Sequence, residues 1–217
     1  MTQMRVIRWS ATSNATPFTD PASGERLGAA ADALAAHGFA VEILDDAAAA
    51  RSRVRELIPE GASVLTAASE TLRLSGIDDD VNTGGRYRAV RPRVLAMDRT
   101  TDADEIRRPA ACPDVIVGSV AAVTETGSLV VASGSGSRLP GYAGGAGRAI
   151  WVVGAQKLVP DLDTALRRVH EHCLPLETAR TLRAYGRPSA VNRLLVLNGE
   201  HVAGRGSVLL LREAIGY

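Results

Sequence analysis

The sequence predicts an α/β domain with a parallel sheet and crossover helices. Three observations lead there. Segments of helical and strand period alternate through the first part of the chain. Three strand-like apolar runs crowd between Asp114 and Ala155, joined by connections rich in Gly, Ser and Thr. Apolar residues reach 46% while aromatics are only 4%, so Val, Leu, Ile and Ala have to build the core.

The elements follow in order. Residues 1–23, rich in Thr, Ser, Asn and Pro, read as an arm or irregular lead-in, and 24–217 as the domain. ERLGAAADALAAHG is a helix, with Leu27, Ala30, Leu34 and Ala35 on one stripe and Gly38 as its stop. FAVEIL is a strand, with Val41 and Ile43 sharing a face. Asp45 or Asp46 caps the helix DAAAARSRVRELI, and SVLTA is the next strand. Helix, strand, helix, strand in this order is the mark of right-handed crossover units.

Ser69 caps a short helix, ETLRLSG. IDDDVNTGGRYRAVRP reads as a loop, with a short strand near Val94 and Leu95. Asp102 and Glu105 have capping-box spacing for a helix that ends before Pro109. DVIVGSV, SLVVAS and AIWVVGA are apolar strands. Pro160 and Asp161 open a helix with Leu162, Ala165, Leu166 and Val169 on its buried stripe, and PLETARTLRAYG is another helix. LLVLN and SVLLL, separated by a turn-rich segment, read as an antiparallel pair.

Composition narrows the function classes. A chain of 217 residues with net charge +1 fits one domain and carries no global field for nucleic acid or an anionic membrane. The start lacks an apolar h-region, and no run approaches the roughly 18 apolar residues of a membrane span. Cys112 and Cys173 form no Cys-x-x-Cys pair. They read as partly buried thiols in a reducing compartment, so the expected location is the cytoplasm. No zinc, P-loop or nucleophile-elbow motif occurs. His170 and His172, two apart, face different ways on a helix, and Asp78 to Asp80 read as a solvated acidic loop.

The chemistry concentrates between Ser119 and Gly147. In parallel α/β sheets ligands bind outside the carboxyl ends of strands, and glycines let backbone N–H groups approach an anion. One candidate site is Thr124, Glu125, Thr126, Gly127 and Ser128. A second comprises Ser133, Gly134, Ser135, Gly136, Ser137 and Arg138. The Arg138 guanidinium is a permanently charged fork suited to a carboxylate or phosphate. Glu125, if buried, would have a raised pKa and could act as acid, base or nucleophile. An equally weighted reading makes Thr-Glu-Thr-Gly a hairpin turn with Glu125 in solvent. Gly134 and Gly136 fall short of a dinucleotide fingerprint, because position 139 is Leu. Lys157 follows the strand AIWVVGA and either points to the same sheet edge or is a cation solvated at a strand end.

SVAAVTETGSLVVASGSGSRLPGYAGGAGRAIWVVGAQKLVPDLDTALRRV resembles the core of the LUD domain, a family named for lactate utilisation proteins that includes the small third component of a bacterial lactate-utilisation system. GASVLTAASETLRLSGI and GRGSVLLLREAIGY resemble the family's earlier and closing segments, so the likeness extends over about residues 25–217. The resemblance implies a three-layer α/β/α Rossmann-like domain of the sugar-phosphate isomerase and CoA transferase type. It also implies an accessory role in oxidation of L-lactate, or a related hydroxy acid, to pyruvate, beside iron–sulfur and oxidoreductase partner proteins. Thr126, Gly127, Ser128, Gly136, Arg138 and Lys157 match the family's recurrent polar positions, and Ser69 and Thr71 retain its earlier ones. Ala67, Ala68, Ala121, Ser137 and Gln156 depart from it. The cysteine cluster of some relatives is missing, so neither an iron–sulfur cluster nor a structural metal is expected, and the resemblance names no cofactor. The expected ligand is a small anionic metabolite, and the chain is compatible with a homo-oligomer. The alternative is an independent enzyme or binder of a phosphorylated or CoA-linked small acid.

Overall fold

A computed structural model describes residues 18–98 and 100–217. In chain order the elements are α1 (Gly24–Ala36), β1 (Ala40–Leu44), α2 (Ala47–Leu57), β2 (Ser63–Thr66), α3 (Glu70–Leu74), α4 (Ile77–Thr83), β3 (Arg88–Ala89), α5 (Val90–Leu95) and α6 (Ala103–Ala111). Then follow β4 (Val115–Gly118), β5 (Ala122–Thr124), β6 (Leu129–Ser133), β7 (Arg148–Gly154), β8 (Leu158–Val159), α7 (Leu162–Arg168), α8 (Leu174–Tyr185), β9 (Arg193–Leu197) and β10 (Gly206–Leu211). Most of the lead-in, residues 1–17, lies outside the described residues.

Six parallel strands form the central sheet in the order β1-β10-β7-β4-β2-β3. Side chains alternate across a pleat, so each strand feeds two cores. Ile116, Ala149, Trp151, Val153, Val208 and Leu210 face the core that receives Leu27, Ala30 and Leu34 of α1. Val115, Val117, Ile150, Val152, Leu209 and Leu211 face the other, which receives Ala50 and Val54 of α2 and Ile77 and Val81 of α4. The result is a three-layer Rossmann-like α/β/α domain, as the resemblance implies. A four-stranded sheet, β8-β5-β6-β9, lies beside it, with Ala122 and Val130 packed on Ala165 and Val169. Ser23, Asp46, Ser69 and Asp161 cap α1, α2, α3 and α7 through their side chains. Among the described residues no helix is long and apolar enough to cross a membrane.

Several local expectations need correction. The acidic segment after Gly76 is helical: Asp78, Asp79 and Asp80 occupy the first turn of α4, where the helix dipole favours negative charge, and Ile77 and Val81 are buried one turn apart. Val94 and Leu95 belong to helix α5, and the short strand lies earlier, at Arg88–Ala89. Helix α6 runs past Pro109 to Ala111, and the Asp102 carboxylate accepts from the Asp98 N–H instead of capping the helix. Cys112 is exposed and only Cys173 is buried.

The largest correction concerns the last two strands, which do not pair. β9 runs antiparallel to β6 in the small sheet, whereas β10 enters the central sheet between β1 and β7. Five of the six β10 residues are buried, while Arg193 and Leu194 of β9 are exposed. A strand apolar on both faces gains most at the centre of a covered sheet, and that burial outweighs a local hairpin.

Candidate functional site

Four strands of the central sheet deliver their carboxyl ends to one edge. Ala67, Ala68 and Ser69 follow β2; Ser119, Val120 and Ala121 follow β4; Ala155, Gln156 and Lys157 follow β7; and residues 212–217 follow β10. A cavity of about 110 Å³ opens there. Its walls include Ala68, Ser69, Ser119, Ser133, Gly134 and Arg138, together with Cys173, Glu177, Arg180 and Tyr217.

The loop after β6 is shaped by its own small residues. Gly136 has φ +80°, and a Cβ there would lie 2.6 Å from Cδ of Arg193. Its N–H donates to Ser133 Oγ at 2.9 Å. Asn192 and Arg193 donate to the Gly134 carbonyl at 3.0 and 3.1 Å. This brings Arg138 to the cavity wall, where Nη1 donates to the Ala68 carbonyl at 2.9 Å. Arg180, also on the cavity, holds both Glu177 oxygens at 2.6 and 2.7 Å, and Tyr217 Oη donates to Glu177 at 2.5 Å. Burial pushes the Glu177 carboxyl up, but the hydrogen bonds from Arg180 and Tyr217 outweigh it and leave its pKa below the usual range.

Two cations lie beneath the floor. Lys157 is 1% exposed, and its Nζ reaches Thr71 Oγ1 at 2.9 Å, Ser119 Oγ at 3.0 Å, the Val120 carbonyl at 3.3 Å and the Tyr217 backbone oxygen at 2.9 Å. Arg168 is fully buried and donates to the Ala121 carbonyl, to Cys173 Sγ at 3.1 Å and to the Phe18 carbonyl at 3.4 Å. Neither cation contacts an Asp or Glu side chain among the described residues. Residues 1–17 and position 99 contain no Asp or Glu. Burial, reinforced by repulsion from Arg168 and opposed by Cys173, pushes Lys157 down to about 7. Burial likewise lowers Arg168 and raises Cys173.

The expected site residues divide into two groups. Ser69, Gly134 and Arg138 line the cavity, and Gly136 and Ser137 belong to the loop that carries Arg138. Thr71 and Lys157 meet under its floor, so Lys157 is not the cation solvated at a strand end. Thr124, Glu125, Thr126, Gly127 and Ser128 are elsewhere. They form the turn between β5 and β6, at the end of these strands remote from Ser119 and Ser133. Thr124 Oγ1 meets Thr126 Oγ1 and the Ser128 N–H, both at 2.9 Å, and Ser128 Oγ donates to Asn198 at 2.9 Å. Gly127 has φ +84° and packs on α1, its carbonyl 3.0 Å from His37 Nδ1. Of the two readings of Glu125, the structure agrees with the hairpin turn: its side chain is 34% exposed and paired with Arg26 at 2.6 Å.

Sequence reasoning gave no particular weight to Ser119, Cys173, Glu177, Arg180 and Tyr217. The three-residue spacing of Glu177 and Arg180 was the available signal, because it places them on one helix face. Among the altered positions, Ala68 and Ala121 line the cavity. Gln156 is buried and exchanges hydrogen bonds with Ile215 and Gly216, which fastens the chain end that carries Tyr217.

Comparison with known proteins adds a family and a fold. The family described as the LUD domain matches residues 27–190. A solved DUF162 family protein from Deinococcus radiodurans is similar, with a TM-score of 0.50 at 16% identity, over 88% of this chain and 98% of that one. At this identity the likeness concerns the fold alone. No curated protein matches the chain.

Proposed function

The chain belongs to the LUD domain family, and from that premise we propose that it binds a small carboxylate in the cavity at the sheet edge. In this reading it serves in the cytoplasm as an accessory component in oxidation of L-lactate, or a related 2-hydroxy acid, to pyruvate. The released electrons pass to iron–sulfur and oxidoreductase partner proteins.

One observation supports the reading above the rest: two arginines at a small cavity, Arg138 and Arg168, have no Asp or Glu partner among the described residues. Arg138 lines the wall, and Arg168 lies beneath the floor. Removing a cation from water is costly unless an opposite charge or hydrogen bonds compensate. An entering carboxylate supplies that charge, and the Arg138 fork suits its two oxygens. Ser69, Ser119 and Ser133 offer hydroxyls to a 2-hydroxy group. Size agrees as well: a cavity of about 150 Å³ takes benzene, and this one, about 110 Å³, suits an acid of similar heavy-atom count.

Titration calorimetry with L-lactate, D-lactate and pyruvate tests the binding, and affinity purification from the native cell tests the accessory role. Saturable binding of one acid and recovery of redox proteins are expected. No heat with any of them, or a tighter complex with a phosphorylated or CoA-linked acid, would replace the reading with that of an independent enzyme or binder.

A further inference from the structure

We infer that Ser119 is a nucleophile activated by Lys157, and that the cavity carries acyl transfer from an activated ester of a small acid. The inference rests on the proposal that this cavity receives small acids, and adds a chemical step to it.

A serine hydroxyl becomes nucleophilic when a base within hydrogen-bond reach accepts its proton and a third group orients that base. All three parts are present. Ser119 is a cavity-lining residue that follows β4 directly. Its Oγ lies 3.0 Å from Lys157 Nζ and makes no other side-chain hydrogen bond among the described residues. The amine is oriented by Thr71 Oγ1 and the Tyr217 backbone oxygen, both at 2.9 Å, with the Val120 carbonyl further away at 3.3 Å. Thr71 in turn directs its own hydroxyl at the Ile215 carbonyl, which leaves its oxygen to accept from the amine. A neutral amine has two N–H bonds and one lone pair. With its N–H bonds assigned to Thr71 Oγ1 and the Tyr217 oxygen, the amine has its lone pair left for Ser119.

The surroundings bring the neutral amine within reach near neutral pH. Lys157 is enclosed by residues after β2, β4 and β10, and Arg168 of α7 is the nearby charge that repels its protonated form. The buried Cys173 thiol opposes this, and burial, the larger effect, leaves Lys157 at about 7. A base with that value is well matched to proton transfer near neutral pH.

The step balances without an external oxidant or reductant. Ser119 Oγ attacks the ester carbonyl carbon, an Oγ–C bond forms, and the hydroxyl proton moves to Lys157 Nζ. Collapse of the tetrahedral intermediate breaks the ester C–O bond, and the ammonium returns its proton to the departing alkoxide. Water then attacks the acyl-serine and gives a proton to Lys157. Release of Ser119 Oγ, which takes that proton back, frees the carboxylic acid. Arg138, on the same cavity, supplies fixed donors for negative charge on the carbonyl oxygen.

The full chain is incubated with 4-nitrophenyl acetate, and single-turnover kinetics are followed by intact-mass measurement and peptide mapping. The expected result is a burst of 4-nitrophenolate, with one acetyl group on Ser119. Ser119→Ala abolishes the burst, and Lys157→Met slows acylation by roughly 100-fold or more. The wild-type peptide map decides even where Lys157→Met fails to fold. Acetylation of Lys157, Cys173 or another residue with Ser119 unmodified, or a burst unchanged in Ser119→Ala, would overturn the inference. Calorimetry of Ser119→Ala with L-lactate separates the two claims. Retained lactate binding with no acylation of the wild type refutes the serine chemistry alone. Acylation of Ser119 without lactate binding refutes only the choice of lactate as ligand.

Discussion

Arg205 and Glu200 form a buried ion pair that clamps the glycine-rich segment ahead of β7. Besides Glu200, Arg205 donates to the carbonyls of Ala146 at 3.1 Å, Gly141 at 2.9 Å and Tyr142 at 3.0 Å. Both side chains are under a tenth exposed. Part of the glycine content that marks this region in the sequence therefore serves packing, with Arg205 bonded to carbonyls of the wide helical turn at Gly141–Gly145 and of Ala146.

Arg205→Ala should destabilise the protein by about 3–5 kcal/mol, because it leaves Glu200 buried without its cation and removes the donor that the Ala146, Gly141 and Tyr142 carbonyls share. Urea unfolding measures this. A loss below about 1 kcal/mol would mean that water reaches the clamp.

Arg138→Ala separates binding from folding. Arg138 is partly exposed and makes one hydrogen bond, to Ala68, so the stability change should stay below about 1 kcal/mol. Loss of a charged donor to a carboxylate costs about 1.5–3 kcal/mol, and affinity for L-lactate should therefore fall roughly 10- to 100-fold. Calorimetry beside a melting curve reads both, and an unchanged affinity would remove Arg138 from the site.

Lys157 makes stability depend on pH with a defined sign. Its ordinary value is 10.5, and in the folded protein it is about 7. Between these values the unfolded chain holds the extra proton, so stability rises with pH through that window; below it the charge stays buried at full cost. From about pH 7 to about pH 9 the gain should be about 2–3 kcal/mol. Arg168 keeps its charge throughout, and Cys173, raised by burial, remains a thiol in most of this range. Lys157→Met should therefore lose the rise, as denaturation at both pH values will show.

Glu125→Gln addresses the hairpin turn. An ion pair between side chains 45% and 34% exposed contributes under about 1 kcal/mol. The variant should unfold within that margin of the wild type. With Glu125 on a turn remote from the cavity, its affinity for L-lactate should not change. A large loss of affinity would return the carboxylate to the site.

Much of the fold was legible because its signals are local. The apolar runs Val115–Gly118, Arg148–Gly154 and Gly206–Leu211, and the capping residues Asp46, Ser69 and Asp161, act over a few positions. Where a local rule failed, a longer-range term had overruled it. Burial on both faces drew β10 away from β9, and a helix dipole together with the buried Ile77 and Val81 turned an acidic run into α4. Half of the candidate site was legible too. The motif around Arg138 lies in one loop, whereas the motif around Glu125 looked equivalent and lies at the opposite end of the same two strands.

The sequence by itself determined the class of fold, the family and the glycine-rich loop that carries Arg138. Only the tertiary structure decided which residues meet. Lys157 lies 86 residues from Thr71, 38 from Ser119 and 60 from Tyr217, yet its Nζ touches all three. Periodicity and capping act along a few residues of backbone. The placement and charge of a buried amine instead depend on the ends of several strands arriving at one edge and excluding water from it.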